Sequence, residues 1–284
     1  MTVTPIRPDR SRPGTAFVLG GGGNLGAIQV GMLRALVERG IVPDHLVGCS
    51  VGSLNAAALA AEPSLATVDA LEDTWRTLDG EAIVSSGRLS AIWLLTRKYR
   101  SLQPNDGLRR LIERALPYRR FEEARVPLHI VATSLRTGRE CWFDSGSVVE
   151  PILASAALPA VFPPVEIGGE LLIDGAVVNN VPISRALQLG AERIFVLHVG
   201  NFDRPRRAPK RPLDALLQSF SIARNFRFHH ETSAVPPDTE VIVVPGVDPG
   251  AMRFNDFGQS RKLIERAHRS TATFLDARTD AASG

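Results

Sequence analysis

The stretch Gly48-Cys49-Ser50-Val51-Gly52 sets a serine between two glycines, at the point where a short apolar run gives way to strong helix formers. Upstream, His45-Leu46-Val47 has the length and apolarity of a buried strand end, and residues 53–61 (SLNAAALAA) are dominated by alanine and leucine. A tight strand-to-helix turn crowds the backbone, and flanking glycines relieve the crowding because they carry no Cβ. The Ser50 hydroxyl then projects above a sheet with a helix N-terminus beneath it. That is the geometry of a nucleophile elbow, although an ordinary glycine-serine turn has the same bare pattern. The surrounding chain has to decide between the two.

Working outward, residues 15–19 (TAFVL) read as a first buried strand, followed by the glycine loop GGGGNLG at residues 20–26. A helix follows, with Leu25, Ile28, Met32 and Leu36 at helical spacing, and Gly40 ends it. Residues 43–48 form the second strand and residues from 53 onward the second helix. This alternation predicts a three-layer α/β/α fold with a mostly parallel central sheet. Further helices are expected over residues 68–78, 106–116, 148–157, 213–228 and 257–275. Strands are expected over residues 127–134, 139–143, 193–199 and 240–244, with a hairpin around Gly168-Gly169 leading into Asp174.

A chain of 284 residues, 44% hydrophobic and 22% charged, has material for a sizeable core in one large α/β domain. The net charge of +3 leaves anionic lipid and nucleic acid undecided as partners. Two cysteines, Cys49 and Cys141, make no disulfide framework, and Cys49 inside the turn is badly placed for a bridge, so a reducing, cytoplasmic setting is expected. The first residues, with Pro5, Pro8 and Pro13, lack the apolar run of about 7 to 15 residues that a secretory leader needs. No window holds the roughly 18 consecutive apolar residues of a membrane span, so any membrane contact is expected to be peripheral.

The glycine loop admits two chemical uses besides a plain structural turn. Gly21-x-Gly23-x-x-Gly26 between strand and helix fits a dinucleotide fingerprint, whose ribose hydroxyls want an acid at the end of the second strand, about 20 residues on. Here that strand ends in Gly48-Cys49-Ser50. The alternative use is an oxyanion hole, because several backbone N–H groups at a helix N-terminus can cradle a tetrahedral oxyanion. A nicotinamide or flavin enzyme, or a silent binding module on the same scaffold, is therefore the rival to an ester hydrolase.

A serine nucleophile needs a base. His129 and His198 lie in apolar strands, as core imidazoles do, while His229, His230 and His268 sit on partly solvent-facing helices. Asp174 follows Leu171-Leu172-Ile173 and precedes Gly175-Ala176, which puts a carboxylate at a strand end beside a sharp turn. A turn or cap aspartate would read the same way.

Taken together, these segments resemble the patatin-like phospholipase family. Gly21-Gly22-Gly23-Asn24-Leu25-Gly26 is similar to its oxyanion motif, Gly48-Cys49-Ser50-Val51-Gly52 to its nucleophile elbow, and Asp174-Gly175-Ala176 to its base motif. Ala154-Ser155-Ala156-Ala157 with Pro159, and Asn55-Ala56 after the elbow, fit as well, and the likeness runs over residues 17–199. The resemblance implies that Ser50 attacks an acyl ester with Asp174 as its base, and that Gly21, Gly22 and Gly23 hold the oxyanion. Gly26, Gly48, Gly52 and Gly175 would support the motifs. It implies a lipid or fatty-acyl ester as partner, no nucleic acid, and neither metal nor cofactor. Leu25 stands where the family often carries Arg or Lys, so the loop lacks that cation. The implied organisation is a disordered lead-in at 1–14, a catalytic core at 15–200, and a C-terminal extension of the same domain at 201–284. Residues 88–100 (RLSAIWLLTRKYR) read either as an interfacial segment or as a core-facing helix with a basic end, and the basic residues from 204 to 211 as a solvated loop.

Overall fold

Every residue of β1 (Thr15–Leu19) is buried, as a strand with neighbours on both edges and helices on both faces must be. The computed structural model describes residues 14–78, 105–159, 161–199, 208–209, 212–250 and 256–283. The lead-in expected before Gly14, the segment at 88–100 and nearly all of the basic loop lie outside the described residues. Following β1 are α1 (Gly26–Glu38), β2 (His45–Cys49), α2 (Val51–Ala61), α3 (Leu65–Thr77) and α4 (Asp106–Ala115). Next come β3 (Leu128–Ser134), β4 (Glu140–Phe143), α5 (Val149–Ser155), β5 (Val165–Ile167) and β6 (Glu170–Asp174). The chain continues through α6 (Ile183–Gln188), β7 (Arg193–Leu197), α7 (Pro212–Ser233), β8 (Glu240–Val243) and α8 (Ser260–Ser283).

The strands form one sheet in the order β5-β6-β3-β2-β1-β7-β8, with β4 also paired to β3. Pairings from β3 through β8 are parallel, while β4, β5 and β6 join in antiparallel fashion. Alternation along β1 divides the core between two layers. Phe17 and Leu19 pack with residues of α1, α2 and α8, whereas Ala16 and Val18 pack with Ile183 and Ala186 of α6 and Phe228 of α7. The expected α/β/α layering is thus the observed one.

Register along β3 does most to position the site. Odd-numbered residues along β3 and just beyond its ends bond toward one edge: Pro127 O accepts from Leu46 N–H at 2.9 Å, and Leu135 N–H donates to Leu171 O at 2.9 Å. Even-numbered Ser134 faces the other edge and donates to Arg139 O, just beyond which β4 begins. β2 and β6 therefore share a single edge of β3 and meet end to end. Cys49, the last residue of β2, is opposite Val131, and Asp174, the last of β6, is opposite Ala132. The β5-β6 hairpin turns through Gly168 and Gly169, at φ 58° and 78°, the left-handed pair that matches the twist of a two-residue turn.

Residues beyond 200 contribute β8, parallel to β7, and α8, which packs on α1 through Leu263, Ile264 and Ala267. Both α7 and α8 run past the ends expected from the pattern, since no proline or glycine interrupts residues 213–235 or 276–283. α8 also begins three residues later than expected, after Gly258.

A buried polar network ties the glycine loop to the helices. Gln29 donates through Nε2 to Gly20 O (2.7 Å) and Leu197 O (3.0 Å), and its Oε1 accepts from Asn55 Nδ2 (2.8 Å). Asn55 Nδ2 also donates to Gly26 O at 3.0 Å, and its Oδ1 accepts from Trp75 Nε1 at 2.9 Å. Gln29→Ala removes three of these bonds and leaves buried polar atoms without partners. It should lower unfolding stability by about 2 to 4 kcal/mol, read by urea denaturation, and a loss near zero would show that the network contributes little.

Candidate active site

Ser50 has φ 53° and ψ −127°, and it is the sole non-glycine residue with positive φ among the described residues. Such a backbone costs on the order of 1 to 3 kcal/mol and persists only where its surroundings over-determine it. Here the Ser50 N–H donates to Ser155 Oγ at 2.8 Å, and Ser50 O accepts from both the N–H and the Oγ of Ser53, at 2.9 and 2.6 Å. α2 starts at the next residue, Val51, two positions earlier than the apolar pattern suggests. Gly48 is the next-to-last residue of β2, and Gly52 lies in the first turn of α2. A Cβ on Gly52 would come within 2.1 Å of Leu19 O, so no other residue lets the helix rise this close to β1.

Asp174 arrives from the opposite direction on the same β3 edge. Its backbone is fastened by its N–H to Ala157 O (3.0 Å) and by Thr133 Oγ1 to its carbonyl (3.0 Å). Oδ1 accepts from Ala176 N–H at 2.8 Å, and Oδ2 accepts from Ser50 Oγ at 2.6 Å. Gly175, directly after it, opens the short 3-10 turn Gly175–Val177 that supplies this Ala176 donor. Ser50 is 8% exposed and Asp174 2%. Burial pushes the Asp174 carboxyl up to about 6, while the Ser50 hydroxyl, the Ala176 N–H and the charge of Arg224 pull against that rise.

The glycine loop closes the third side. Gly21 lies against Ser50: a Cβ on it would stand 3.0 Å from Ser50 Cβ and 2.7 Å from Asn180 Oδ1. The Gly21 N–H donates to Asn180 O at 3.1 Å. The N–H groups of Gly22 and Gly23 have no partner among the described residues. Gly23 to Leu25 form a 3-10 turn and Gly26 opens α1, with Leu25 partly buried in place of a cation.

No histidine bonds to Ser50 or Asp174 among the described residues. Burial first, and then Arg224, pushes the imidazole of His198 down to about 3, and burial with Arg185 takes His129 down to about 4, so both are neutral core groups at physiological pH. Cys49 is equally unsuited to attack: burial and the neighbouring Asp174 charge raise its thiol well above the ordinary range. Among the described residues no group of three or more His, Cys, Asp or Glu could hold a metal.

Two residues around this site escape a sequence reading. Gln29 announces itself only as a polar interruption in the apolar helix GAIQVGM. Arg224, on α7, comes from a stretch that carries no motif at all.

Comparison with known proteins bears on the family. The patatin-like phospholipase family model matches residues 17–187. Lysophospholipase NTE1 of Mycosarcoma maydis is 30% identical over 191 residues, which cover 66% of this chain and 10% of that protein. Patatin-like phospholipase domain-containing protein 7 of Mus musculus is 31% identical over 190 residues, 66% of this chain and 14% of its own length. The chain thus spans only a small part of these relatives. Among solved structures, VipD from Legionella pneumophila aligns with a TM-score of 0.49 at 15% identity, covering 93% of this chain and 67% of that one. With more than half of its length matched by the family model, this chain belongs to the patatin-like phospholipase family.

Proposed function

We propose that this protein is a serine lipid acyl hydrolase that works through Ser50 and Asp174 by way of an acyl-enzyme. The observation that carries the reading is the 2.6 Å hydrogen bond from Ser50 Oγ to Asp174 Oδ2, made at a backbone angle that residues other than glycine rarely adopt. Ser50 Oγ attacks the ester carbonyl carbon as its proton passes to Asp174 Oδ2. The carbonyl oxygen becomes an oxyanion and takes hydrogen bonds from the Gly22 and Gly23 N–H groups; losing one such donor typically costs on the order of a hundredfold or more in turnover. The carbon–oxygen bond to the leaving alcohol then breaks, and Asp174 returns the proton to that oxygen. Water attacks the acyl-serine as Asp174 takes its proton, and the tetrahedral intermediate collapses to the fatty acid while Asp174 returns that proton to the leaving Ser50 Oγ.

Likeness to relatives named lysophospholipases supports a lysophospholipid or another fatty-acyl ester as substrate class. Among the described residues no helix is long and apolar enough to cross a membrane. Pairing of β8 with β7 and packing of α8 on α1 support taking the residues beyond 200 as part of the same domain. A dinucleotide-binding role is the competing reading, and labelling of Ser50 by a fluorophosphonate separates the two.

Ser50→Ala and Asp174→Asn should each lower kcat/KM on a soluble ester by about four orders of magnitude or more with thermal unfolding cooperative, because the two side chains act as a unit. Undiminished turnover in either variant would sink the dyad. His198→Ala should keep kcat/KM of the same order, and its collapse would restore a histidine base.

The base works only when ionised. Since Asp174 is raised to about 6, kcat/KM should be flat above neutrality and fall tenfold per unit as the pH drops below about 6, following protonation of the carboxylate. A profile level down to pH about 4 would exclude Asp174 as the base.

A further inference from the structure

We infer that Arg224 on α7 is an electrostatic positioning residue for the Ser50-Asp174 pair, so that a segment outside the family-matched stretch completes the site. The inference rests on the dyad reading above. α7 packs on the 3-10 turn that follows Asp174, and Arg224 Nη1 reaches Asn180 Oδ1 at 3.4 Å. Asn180 is the residue whose carbonyl holds the Gly21 N–H and whose side chain lies against Gly21, so the guanidinium is one residue removed from the glycine loop. The charge of Arg224 is felt at Asp174, at Cys49 beside Ser50, and at His198.

The other groups around Asp174 are poorly suited to that task. Ser50 and Cys49 from the end of β2 are neutral, and the 3-10 turn offers only the Ala176 N–H. The stretch of β3 alongside carries Val131, Ala132 and Thr133, and α5 carries Ser155, none of them charged. Glu140 on β4 acts on Cys49 but is itself paired with Arg227 Nη2 at 2.6 Å and accepts from Asn179 Nδ2 at 3.0 Å. His198 is neutral.

The chemical need is plain. A buried carboxylate resists ionisation, yet the reaction begins only from the ionised form, and a guanidinium nearby favours that form because it stays charged at every working pH. Leu25 leaves the glycine loop without a cation of its own, and α7 brings one in from the face of the sheet opposite α1. The C-terminal part also reaches the loop at Asn24, whose Nδ2 donates to Asp256 O at 2.8 Å, and reaches α3, where Phe257 stacks on Trp75 with centroids 6.0 Å apart.

The test is the pH profile of kcat/KM on a soluble p-nitrophenyl ester for the full chain carrying Arg224→Met, Arg224→Gln or Arg224→Lys, with urea stability measured alongside. Met and Gln should each raise the pH of the acid limb by about one unit, while Lys, which keeps the charge, should return it to the wild-type position. Gln can still donate to Asn180, so a wild-type limb in Gln would overturn the electrostatic role in favour of a hydrogen-bonding one. An unmoved limb in Met, or an equal shift in Lys and Met, would likewise overturn it. If Met does not fold, Gln and Lys decide by the same criteria. Loss of activity in Ser50→Ala and Asp174→Asn combined with an unmoved limb defeats this inference alone, whereas retained activity in those two defeats the dyad and this inference with it.

Discussion

The end-to-end meeting of β2 and β6 on one edge of β3 is the constraint on which the site depends. β2 runs parallel to β3 and stops opposite Val131; β6 runs antiparallel to it and stops opposite Ala132. Two strands that approach from opposite directions and end at neighbouring register positions must bring their terminal residues together. Ser50 and Asp174, 124 positions apart in the chain, meet for that reason and not because of any local preference. A slip of one residue in either pairing would turn the side chains to opposite faces of the sheet.

The two residues pay for the meeting in different ways. Ser50 holds a strained backbone angle, secured by Ser155 on one side and Ser53 on the other. Asp174 holds a carboxylate in a nearly water-free place, where burial raises its pKa and only a few donors and one guanidinium oppose the rise. Strain and desolvation both disfavour the folded state. A large core of apolar side chains on both faces of the sheet tolerates these local costs.

Around this point the molecule arranges its polar atoms sparingly. Gln29 and Asn55 fasten the loop between β1 and α1 to β7, α2 and α3, while Asn180 holds the loop from the other side through Gly21. The Gly21 donor is thereby occupied, and among the described residues those of Gly22 and Gly23 are not. Division of labour within a run of like residues is therefore set by which carbonyl each one meets.

Much of the fold was legible in the sequence, because hydrophobic period and glycine placement are local signals. The alternation of strand and helix, the turn at Gly168-Gly169 and the elbow around Ser50 all follow from residues within a few positions of one another. The ends of α7 and α8 lie beyond the apolar pattern, since a helix continues until something stops it and the pattern fades sooner. Leu25 was legible as a missing cation, but its counterpart was not: Arg224 stands 199 positions later on a helix with no motif. Composition and local pattern determined the layers, the elements and the two residues most worth watching. Tertiary structure alone decided that they touch, which backbone donors stay open and which distant charge faces them, because strand register and the burial of charge are properties of contacts between segments that the linear order leaves far apart.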